Sequence, residues 1–368
     1  MTASGRTPAA TERELAESIL EGIRTTAARI GRTISLMEVC GTHTVELRRQ
    51  GIHSLLPRNV RLVSGPGCPV CVTPAGYIDN AITAAEKGRA LVASFGDMLK
   101  VPGSTGATLA SLAGRGRVKL VYSPSELPDL AEKSTLPVLF LAIGFETTIP
   151  TVLSALLAAR SRGIRNLLLY TAFKTIVPAL RFLLARTGPA LDAFLLPGHV
   201  SAIIGTQAYS FLADAGGIPG IVTGFEPLDM LLGILLALRQ VEEGKHEVQN
   251  AYPRVVKQQG NIKALELMAA CLVPGSDRWR GLGRIDGGSL GLKADLAAFD
   301  AEQQLDLSEA SDTEVPGCLC ARVIAGEAEP PECGLYARRC TPEDPVGPCM
   351  VSTEGTCAAW FRYGGDGL

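Results

Sequence analysis

Long apolar segments are absent from this sequence. No uninterrupted apolar run approaches the roughly 18 residues that a membrane-spanning helix needs. The longest candidate, Leu231 to Leu238, is short and lies just after Asp229. The polar segment Met1 to Thr11 lacks the apolar core of a secretory signal peptide. These absences predict a cytoplasmic protein with no membrane segment.

A large excess of charge and two nucleotide-binding motifs are also missing. The chain carries 35 Lys and Arg against 37 Asp and Glu, a net charge of −2, so bulk electrostatics do not indicate a nucleic-acid partner. No glycine turn is followed by Gly-Lys-Ser/Thr, which excludes a Walker P-loop. The segment Gly281-Leu282-Gly283 lacks the third glycine of a dinucleotide fingerprint. We therefore expect no nucleic acid among the partners.

Apolar residues are plentiful, and they recur in short segments of strand or helix type. Hydrophobic residues make up 46% of the 368 residues, enough for more than one domain. Strand, polar turn and helix follow one another repeatedly, which is typical of α/β units with parallel sheets. The pattern restarts near Pro128 with the strand Val138 to Ile143. The predicted fold class is α/β, with two similar parallel-sheet α/β domains plus a loop-rich and helical iron–sulfur module.

Changes in composition set the predicted domain boundaries. After residue 227 the strand–helix repeat stops, and a glycine-rich stretch, Pro274 to Leu292, precedes a segment rich in cysteine and proline. The predicted parts are residues 1–33, an N-terminal helix packing on the iron–sulfur module; residues 34–127, α/β domain I; residues 128–227, α/β domain II; and residues 228–368, the helical and iron–sulfur module.

Ten cysteines need an explanation in a protein expected to be cytoplasmic, where structural disulfides are rare. Three of them, the front cysteines, lie between Cys40 and Cys71. Cys271 stands alone, and six rear cysteines crowd between Cys318 and Cys357. This clustering indicates metal or redox chemistry at two places.

The front cysteines include a C-x-x-C turn. The strand Val60 to Val63 leads into a Gly-Pro-Gly segment, after which Cys68 and Cys71 flank a proline and a valine. A turn at the end of a strand lies at the sheet edge where open α/β folds bind ligands. Two thiols this close can form a reducible disulfide or share a metal. The alternative is a pair of buried cysteines that act as small apolar side chains.

Two other strand ends carry reactive side chains. One strand leads to Cys40 and His43, which can bind a metal or act as nucleophile and base. The alternative is a buried cysteine beside a hydrogen-bonded histidine. Another strand leads to Glu146, either an acid–base group or an N-cap contact to the helix that follows. His199 follows a strand with the same ambiguity.

The spacing of the rear cysteines is that of a metal or cluster site. Four of them lie in a segment rich in glycine and proline, with the spacing C-x6-C-x8-C-x7-C: Cys333, Cys340, Cys349 and Cys357. Four thiolates there can hold a [4Fe-4S] cluster or a tetrahedral zinc ion. The absence of compact C-x2-C knuckles favours iron–sulfur over zinc, and inert thiols are the third possibility. The spacing gives no role to Cys318 or Cys320.

Four blocks of the sequence resemble the signature motifs of the HypD family of hydrogenase maturation proteins. They are EVCGTHT (38–44), SGPGCPVC (64–71), GFETT (144–148) and PVGPCMVSTEGTC (345–357). The blocks occur in the order expected for the family and span nearly the whole chain. Together they are highly specific, since none is a common generic motif.

The resemblance implies a scaffold that works with a HypC-type chaperone to assemble the Fe(CN)2CO unit of [NiFe]-hydrogenase, with cyanide from a HypE-type donor. It implies that Cys40 helps to hold the transient Fe(CN)2CO iron, and that Cys68 and Cys71 are a redox-active pair. It also implies that four rear cysteines bind the [4Fe-4S] cluster: Cys333, Cys340, Cys349 and Cys357. We expect His43, three residues after Cys40, to support the thiolate or an iron-bound ligand through a hydrogen bond.

Two other functions stay open from the sequence. The first is a free-standing iron–sulfur disulfide reductase of the ferredoxin–thioredoxin reductase type, which would act through Cys68 and Cys71. The second is a metabolic α/β enzyme with a structural zinc. The prediction is a maturation scaffold with redox activity rather than a metabolic enzyme.

Overall fold

Two β-sheets organise the chain. The computed structural model describes residues 11–186, 191–215, 217–311 and 315–364. The predictions made for residues 1–10 lie outside the described residues. Sheet A has five strands and sheet B has six, and helices and a cysteine-rich C-terminal segment surround them, so the predicted α/β class is confirmed.

The strands are short, as is usual for α/β proteins. They are β1 (Ile34–Glu38), β2 (Val60–Ser64), β3 (Leu91–Ser94), β4 (Val118–Leu120), β5 (Val138–Gly144), β6 (Leu167–Lys174), β7 (Ala193–Pro197), β8 (Gly220–Thr223), β9 (Val248–Asn250), β10 (Leu272–Trp279) and β11 (Gly283–Leu292).

The helices range from single turns to five turns. They are α1 (Glu12–Ile30), α2 (Gly41–Arg49), α3 (Ile52–Leu55), α4 (Pro69–Val72), α5 (Ala75–Glu86), α6 (Gly96–Lys100), α7 (Ala110–Ala113), α8 (Leu127–Lys133), α9 (Ile149–Ser161), α10 (Ile176–Ala185), α11 (Gly198–Ile204), α12 (Phe211–Ala215), α13 (Pro227–Glu243), α14 (Ile262–Cys271), α15 (Ala301–Leu305), α16 (Cys320–Ile324), α17 (Pro348–Val351) and α18 (Thr356–Tyr363).

Sheet A is entirely parallel, whereas sheet B is mixed. The order of sheet A is β2-β1-β7-β8-β9. In sheet B, the parallel strands β4-β3-β5-β6 are extended by the antiparallel hairpin β10–β11. Every residue of β5 is buried, which explains its nearly pure hydrophobic sequence. The hairpin lies in the glycine-rich stretch for which the sequence predicted no strands.

The two sheets do not correspond to the two predicted α/β domains. Strands β3 and β4 fall in predicted domain I, yet β3 pairs with β4 and β5 in sheet B. Strands β7 and β8 fall in predicted domain II, yet β7 pairs with β1 in sheet A. The boundary at residue 127 therefore does not separate the sheets. Sheet membership depends on non-local pairing, which the order of strand-like segments does not reveal.

Helix α1 packs on α13 and sheet A rather than on the cysteine-rich segment. It begins with a capping box between Thr11 and Glu14, and ends at Gly31, whose φ of 68° suits glycine. Its buried face shares a core with α13 and with β1, β7 and β8. At Gly22 a Cβ would lie 3.2 Å from the side chain of Leu235, so the two helices approach closely.

A further core lies between the two sheets, where helices and loops from both meet. It includes Met37 of β1 and Phe194 of β7, and from the sheet B side Phe145 and the fully buried Trp279. Four cysteines of both groups contribute to this core: Cys68, Cys71, Cys320 and Cys349. None of the helices within the described ranges is long and apolar enough to cross a membrane.

Candidate redox and metal-binding site

The candidate site lies where the strand ends of both sheets approach one another. In sheet A, β1 leads to Cys40 and β2 leads to Cys68. These strands are parallel, so their carboxyl ends lie at one edge, where ligand sites of open α/β sheets form. From sheet B, β5 leads to Glu146 and β3 to Asp97. The rear cysteines pack between these loops.

Cys40 is held by the close approach of the C-x-x-C loop. It is the N-cap residue of α2 and is buried. Gly41 donates a backbone hydrogen bond to the carbonyl of Gly67 (3.2 Å), and a Cβ on Gly67 would overlap the backbone of Cys40. Burial raises the pKa of the Cys40 thiol to about 11. The thiol is therefore protonated at neutral pH.

Cys68 and Cys71 are joined by a disulfide, with their Cα atoms 5.3 Å apart. Cys68 is the N-cap of α4, and its Sγ accepts a hydrogen bond from the backbone N–H of Cys71 at 3.2 Å. The pair faces the rear segment, the stretch that carries the rear cysteines. Cys68 Sγ lies 3.4 Å from Ser352 Oγ, and Cys71 Sγ lies 4.0 Å from the carbonyl oxygen of Pro348. The predicted pairing is present, and its redox activity stays a prediction.

His43 points toward the end of β8, two strands away from β1 in sheet A. Its ring Nε2 lies 3.0 Å from the carbonyl oxygen of Gly224 and donates to it, since a carbonyl can only accept. Its Nδ1 is buried, and no partner for it occurs among the described residues. Burial lowers the pKa of His43 to about 4, so the ring is neutral. The ring packs on Phe225, with centroids 4.7 Å apart, and its predicted support of the Cys40 thiol stays a prediction.

His199 follows β7 and completes an aromatic stack. The centroid of its ring lies 3.8 Å from that of Phe225, and His199 is exposed. Phe225 therefore contacts both histidines, the buried His43 and the exposed His199. Residues 224–226 repeat the Gly-Phe-Glu sequence of residues 144–146. This second Gly-Phe-Glu segment lines the site through Phe225, while its Glu226 is exposed and pairs with Arg254 at 3.0 Å.

Glu146, in the first Gly-Phe-Glu segment, is buried. One carboxylate oxygen accepts the backbone N–H of Ile176 at 3.0 Å, and the other has no partner among the described residues. The contact is to the start of α10, because after the turn at Phe145 the side chain reaches the end of the neighbouring strand, β6. The N-cap contact to α9, one of the two alternatives that the sequence left open, is therefore wrong. Burial raises the pKa of Glu146 to about 7, and its predicted acid–base role stays a prediction.

The rear cysteines divide into two groups. Cys320 and Cys349 are buried, and their sulfur atoms are 2.9 Å apart. Hydrogen bonds with Cys318 and Cys349, together with the charge of Arg280, lower the pKa of Cys320. Cys349, predicted from the family motif as a cluster ligand, therefore contacts Cys320 and lies in the same core as the Cys68–Cys71 disulfide.

The second group surrounds a small core of its own, with Tyr336 and Met350. Cys333 lies 3.7 Å from the carbonyl of Gly317, which precedes Cys318, and the backbone N–H of Val346 donates to Cys340 Sγ at 3.3 Å. A Cβ on the following residue, Gly347, would lie 3.0 Å from Cys318 Sγ. Cys357 packs against this core and against the core of the disulfide.

The rear cysteines supply the donor atoms that an iron–sulfur cluster needs, since such clusters are held by thiolates. The donors at the centre of the segment are sulfur atoms, and a backbone N–H already aims at one of them, as is common around cluster sulfurs. In the part of the chain that the structure describes, no three His, Cys, Asp or Glu side chains form a single-metal-ion site. The residues that would hold an iron–sulfur cluster come from Cys318, Cys333, Cys340, Cys349 and Cys357.

Three polar residues that the sequence did not single out tie the site together. Asp97 accepts the backbone N–H of Thr353 at 2.8 Å, and Glu354 accepts the hydroxyl of Thr42 at 2.6 Å. Arg280 is buried and donates from Nε to the carbonyl of Thr73 at 3.0 Å. These contacts join residues far apart in the chain, so no local sequence pattern could have revealed them.

Fold and site together define a class: an α/β protein in which strand-end cysteines and a cysteine-rich C-terminal segment form one buried thiol site. The chain belongs to the HypD family, because the family model described as "HypD: Hydrogenase formation hypA family" matches residues 14–364. It is 39% identical over 351 residues to the hydrogenase maturation factor HypD of Escherichia coli K12, covering 94% of each chain. The Rhizobium leguminosarum factor is 41% identical, covering 92% of this chain and 91% of its own. A hydrogenase expression/formation protein of Methanocaldococcus jannaschii, described as putative, is 37% identical over 96% of this chain and 98% of its own.

Proposed function

We propose that this protein is a hydrogenase maturation factor and the scaffold on which the Fe(CN)2CO centre of [NiFe]-hydrogenase is assembled. The observation that carries the proposal is the meeting of Cys40, the Cys68–Cys71 disulfide and the rear cysteines within one site. Support also comes from the relatives, which are named as hydrogenase maturation factors.

The iron of Fe(CN)2CO is the cargo of this scaffold, and Cys40 is the residue proposed to bind it. A soft thiolate suits low-spin iron that carries cyanide and CO. The pKa of about 11 means that iron binding releases the thiol proton. The carboxyl end of β1 fixes Cys40, and a cysteine of a HypC-type chaperone would supply a second thiolate. A HypE-type protein would be the cyanide donor.

The rear segment is proposed to hold a [4Fe-4S] cluster, which would supply electrons one at a time. The motif names Cys333, Cys340 and Cys357 as ligands, and their position around one small core supports the proposal. The motif names Cys349 as the fourth. A hydrogen bond between Cys349 and Cys357 supports this choice, whereas Cys318 hydrogen-bonds Cys320.

The Cys68–Cys71 disulfide is proposed to be redox-active and to receive these electrons. Its reduction would break the S–S bond and take up two electrons and two protons, and an external electron donor would reduce the cluster again after each transfer. The burial of the disulfide in one core with Cys349 supports this role.

The scaffold function is tested by co-purifying the full chain, made anaerobically, with a HypC-type chaperone and a HypE-type donor. The expected result is a complex that shows cyanide and CO infrared bands. A brown chain that reduces protein disulfides alone, binds no chaperone and shows no such bands would instead establish the free-standing disulfide reductase, the function that the disulfide by itself favours.

The fourth ligand is decided by comparing Cys318→Ala with Cys349→Ala. We expect Cys349→Ala to lose iron and sulfide and Cys318→Ala to keep them, with the cluster seen by electron paramagnetic resonance after reduction. The reverse result would assign the fourth position to Cys318.

A further inference from the structure

Arg280 is a buried cation at the point where three parts of the fold meet. It lies in the turn of the β10–β11 hairpin and is only 5% exposed. Its backbone N–H donates to the carbonyl of Val72 at 2.8 Å, and its Nε–H donates to the carbonyl of Thr73 at 3.0 Å. These two residues directly follow Cys71, so Arg280 holds the end of the helix that carries the disulfide.

The next residue connects the same turn to the rear cysteines. Gly281 has a φ of +76° and lies so close to Ala321 that a Cβ on it would be 2.6 Å from the Cβ of Ala321. Ala321 follows Cys320 in α16. The Arg280–Gly281 turn is therefore wedged between the disulfide helix and the helix of Cys320.

One donor of the Arg280 side chain is unused. Its Nη2 is buried and has no hydrogen-bond partner among the described residues. Leaving a buried donor unsatisfied is destabilising, and a buried charge costs more unless an opposite charge is near. The charge of Arg280 already lowers the pKa of Cys320, and the unused donor is available to a negative charge that forms in another state of the protein.

Reduction of the disulfide creates such a charge. The S–S bond breaks and takes two electrons. If only one proton is taken up, one sulfur becomes a thiol and the other a thiolate. Cys68 is the sulfur better prepared to carry the charge, since its Sγ already accepts the N–H of Cys71. A thiolate in this core is buried away from water and needs a nearby positive charge.

We propose that Arg280 is a positioning residue that stabilises the reduced form of the Cys68–Cys71 pair. Its two hydrogen bonds fix the disulfide helix, and its charge offsets the thiolate that forms on reduction. The proposal rests on the redox role proposed above for this disulfide.

The test is a redox titration of the full chain in buffers of reduced and oxidised dithiothreitol. Dithiothreitol supplies two electrons and is oxidised to its cyclic disulfide. Acid quenching, alkylation and mass spectrometry of the 68–71 peptide then give the reduced fraction. Arg280→Gln keeps a donor for Thr73 but removes the charge. We expect it to lower the equilibrium constant for reduction about tenfold, a shift of about −30 mV for a two-electron couple.

The rescue and control variants separate charge from packing. Arg280→Lys should return the equilibrium constant to within about twofold of the wild-type value. Arg284→Gln, on the same hairpin but half-exposed and paired with Glu309, should leave it unchanged. If Arg280→Gln fails to fold, as judged by circular dichroism, Arg280→Met and the lysine variant are compared in the same way.

Two results would overturn the proposal. Equal constants for wild type, Arg280→Gln and Arg280→Lys would show that the charge has no effect, and equal shifts in both variants would reduce Arg280 to a packing role. A wild-type disulfide that no dithiothreitol ratio reduces would instead refute the redox role of the pair itself.

Discussion

The front and rear cysteines are positioned by different means. Cys40 and Cys68 each lie a few residues after the end of a parallel strand of sheet A, so the hydrogen bonds between the strands fix their positions. The rear cysteines lie in a segment whose described residues form short helices, turns and one isolated bridge, Tyr336 to Cys340. The front site is therefore built by the sheet, whereas the rear segment depends on its own thiols and on contacts with the loops of other elements.

The largest expected effect of this difference concerns the rear ligands. Cys340→Ala should abolish iron and sulfide binding and loosen residues 315–364. The reason is that the free energy of binding a cluster also stabilises the fold of the segment that supplies its ligands. Iron analysis, visible absorption and hydrogen exchange measure this.

A matched control is Cys271→Ala, since Cys271 is also buried but lies apart from the site, at the end of α14. It should retain full iron and colour. A Cys340→Ala protein with the same iron content as the control would remove Cys340 from the ligand set.

The second effect concerns Cys40. Cys40→Ala should leave the fold and the proposed [4Fe-4S] cluster unchanged, because β1 and α2 persist without the thiol. It should remove the cyanide and CO infrared bands from the isolated scaffold complex, and with them hydrogenase activity in the cell. Bands of wild-type strength in this variant would place the iron elsewhere.

A smaller effect sharpens the statement that the sheet builds the front site. Gly67→Ala would push a Cβ into the backbone of Cys40, so we expect a loss of about 1–3 kcal/mol in the free energy of unfolding. Gly114→Ala is the control, because Gly114 has a φ of −64° and open space around it. Urea unfolding compares them, and equal stabilities would mean that the 64–68 loop can move away from Cys40 at little cost.

A further effect is a pH dependence of the free energy of unfolding that comes from Glu146. Its pKa is about 7 in the folded state against 4.5 for an unperturbed glutamate, so the folded protein binds the proton more tightly than the unfolded chain. The corresponding stabilisation is fully present below pH 4.5 and is lost as pH rises through 7, by up to about 3 kcal/mol. Glu146→Gln should remove this part of the decline in stability between pH 5 and pH 8, measured by urea unfolding.

The control for this prediction is the other Gly-Phe-Glu segment. Glu226 is exposed and paired with Arg254, so Glu226→Gln should decline with pH as the wild type does. If Glu146→Gln and Glu226→Gln behave alike, the buried carboxyl group does not determine the pH dependence.

Strand ends could be read from the sequence, and contacts between distant elements could not. The hydrophobic runs before Cys40 and Glu146 are short and bounded by glycine, which predicts buried strands and places both residues at sheet edges. The contact of Glu146 with Ile176 and that of Cys320 with Cys349 depend on how loops from different strands pack. The same holds for Arg280, whose surroundings in the sequence resemble any glycine-rich turn.

The threading of the chain through the two sheets has a consequence for the order of folding. During synthesis β1 and β2 emerge first, but the remaining strands of their sheet appear only from Ala193 onward, after the parallel part of sheet B is complete. Until then, β1 lacks its second neighbour, and the loops of Cys40 and Cys68 are open to oxidation or stray metals. Pairings this distant in sequence form slowly, so the nascent chain passes through a period in which the thiols of these two loops are not yet buried. Chaperones or early reduction of those thiols would matter most during that interval.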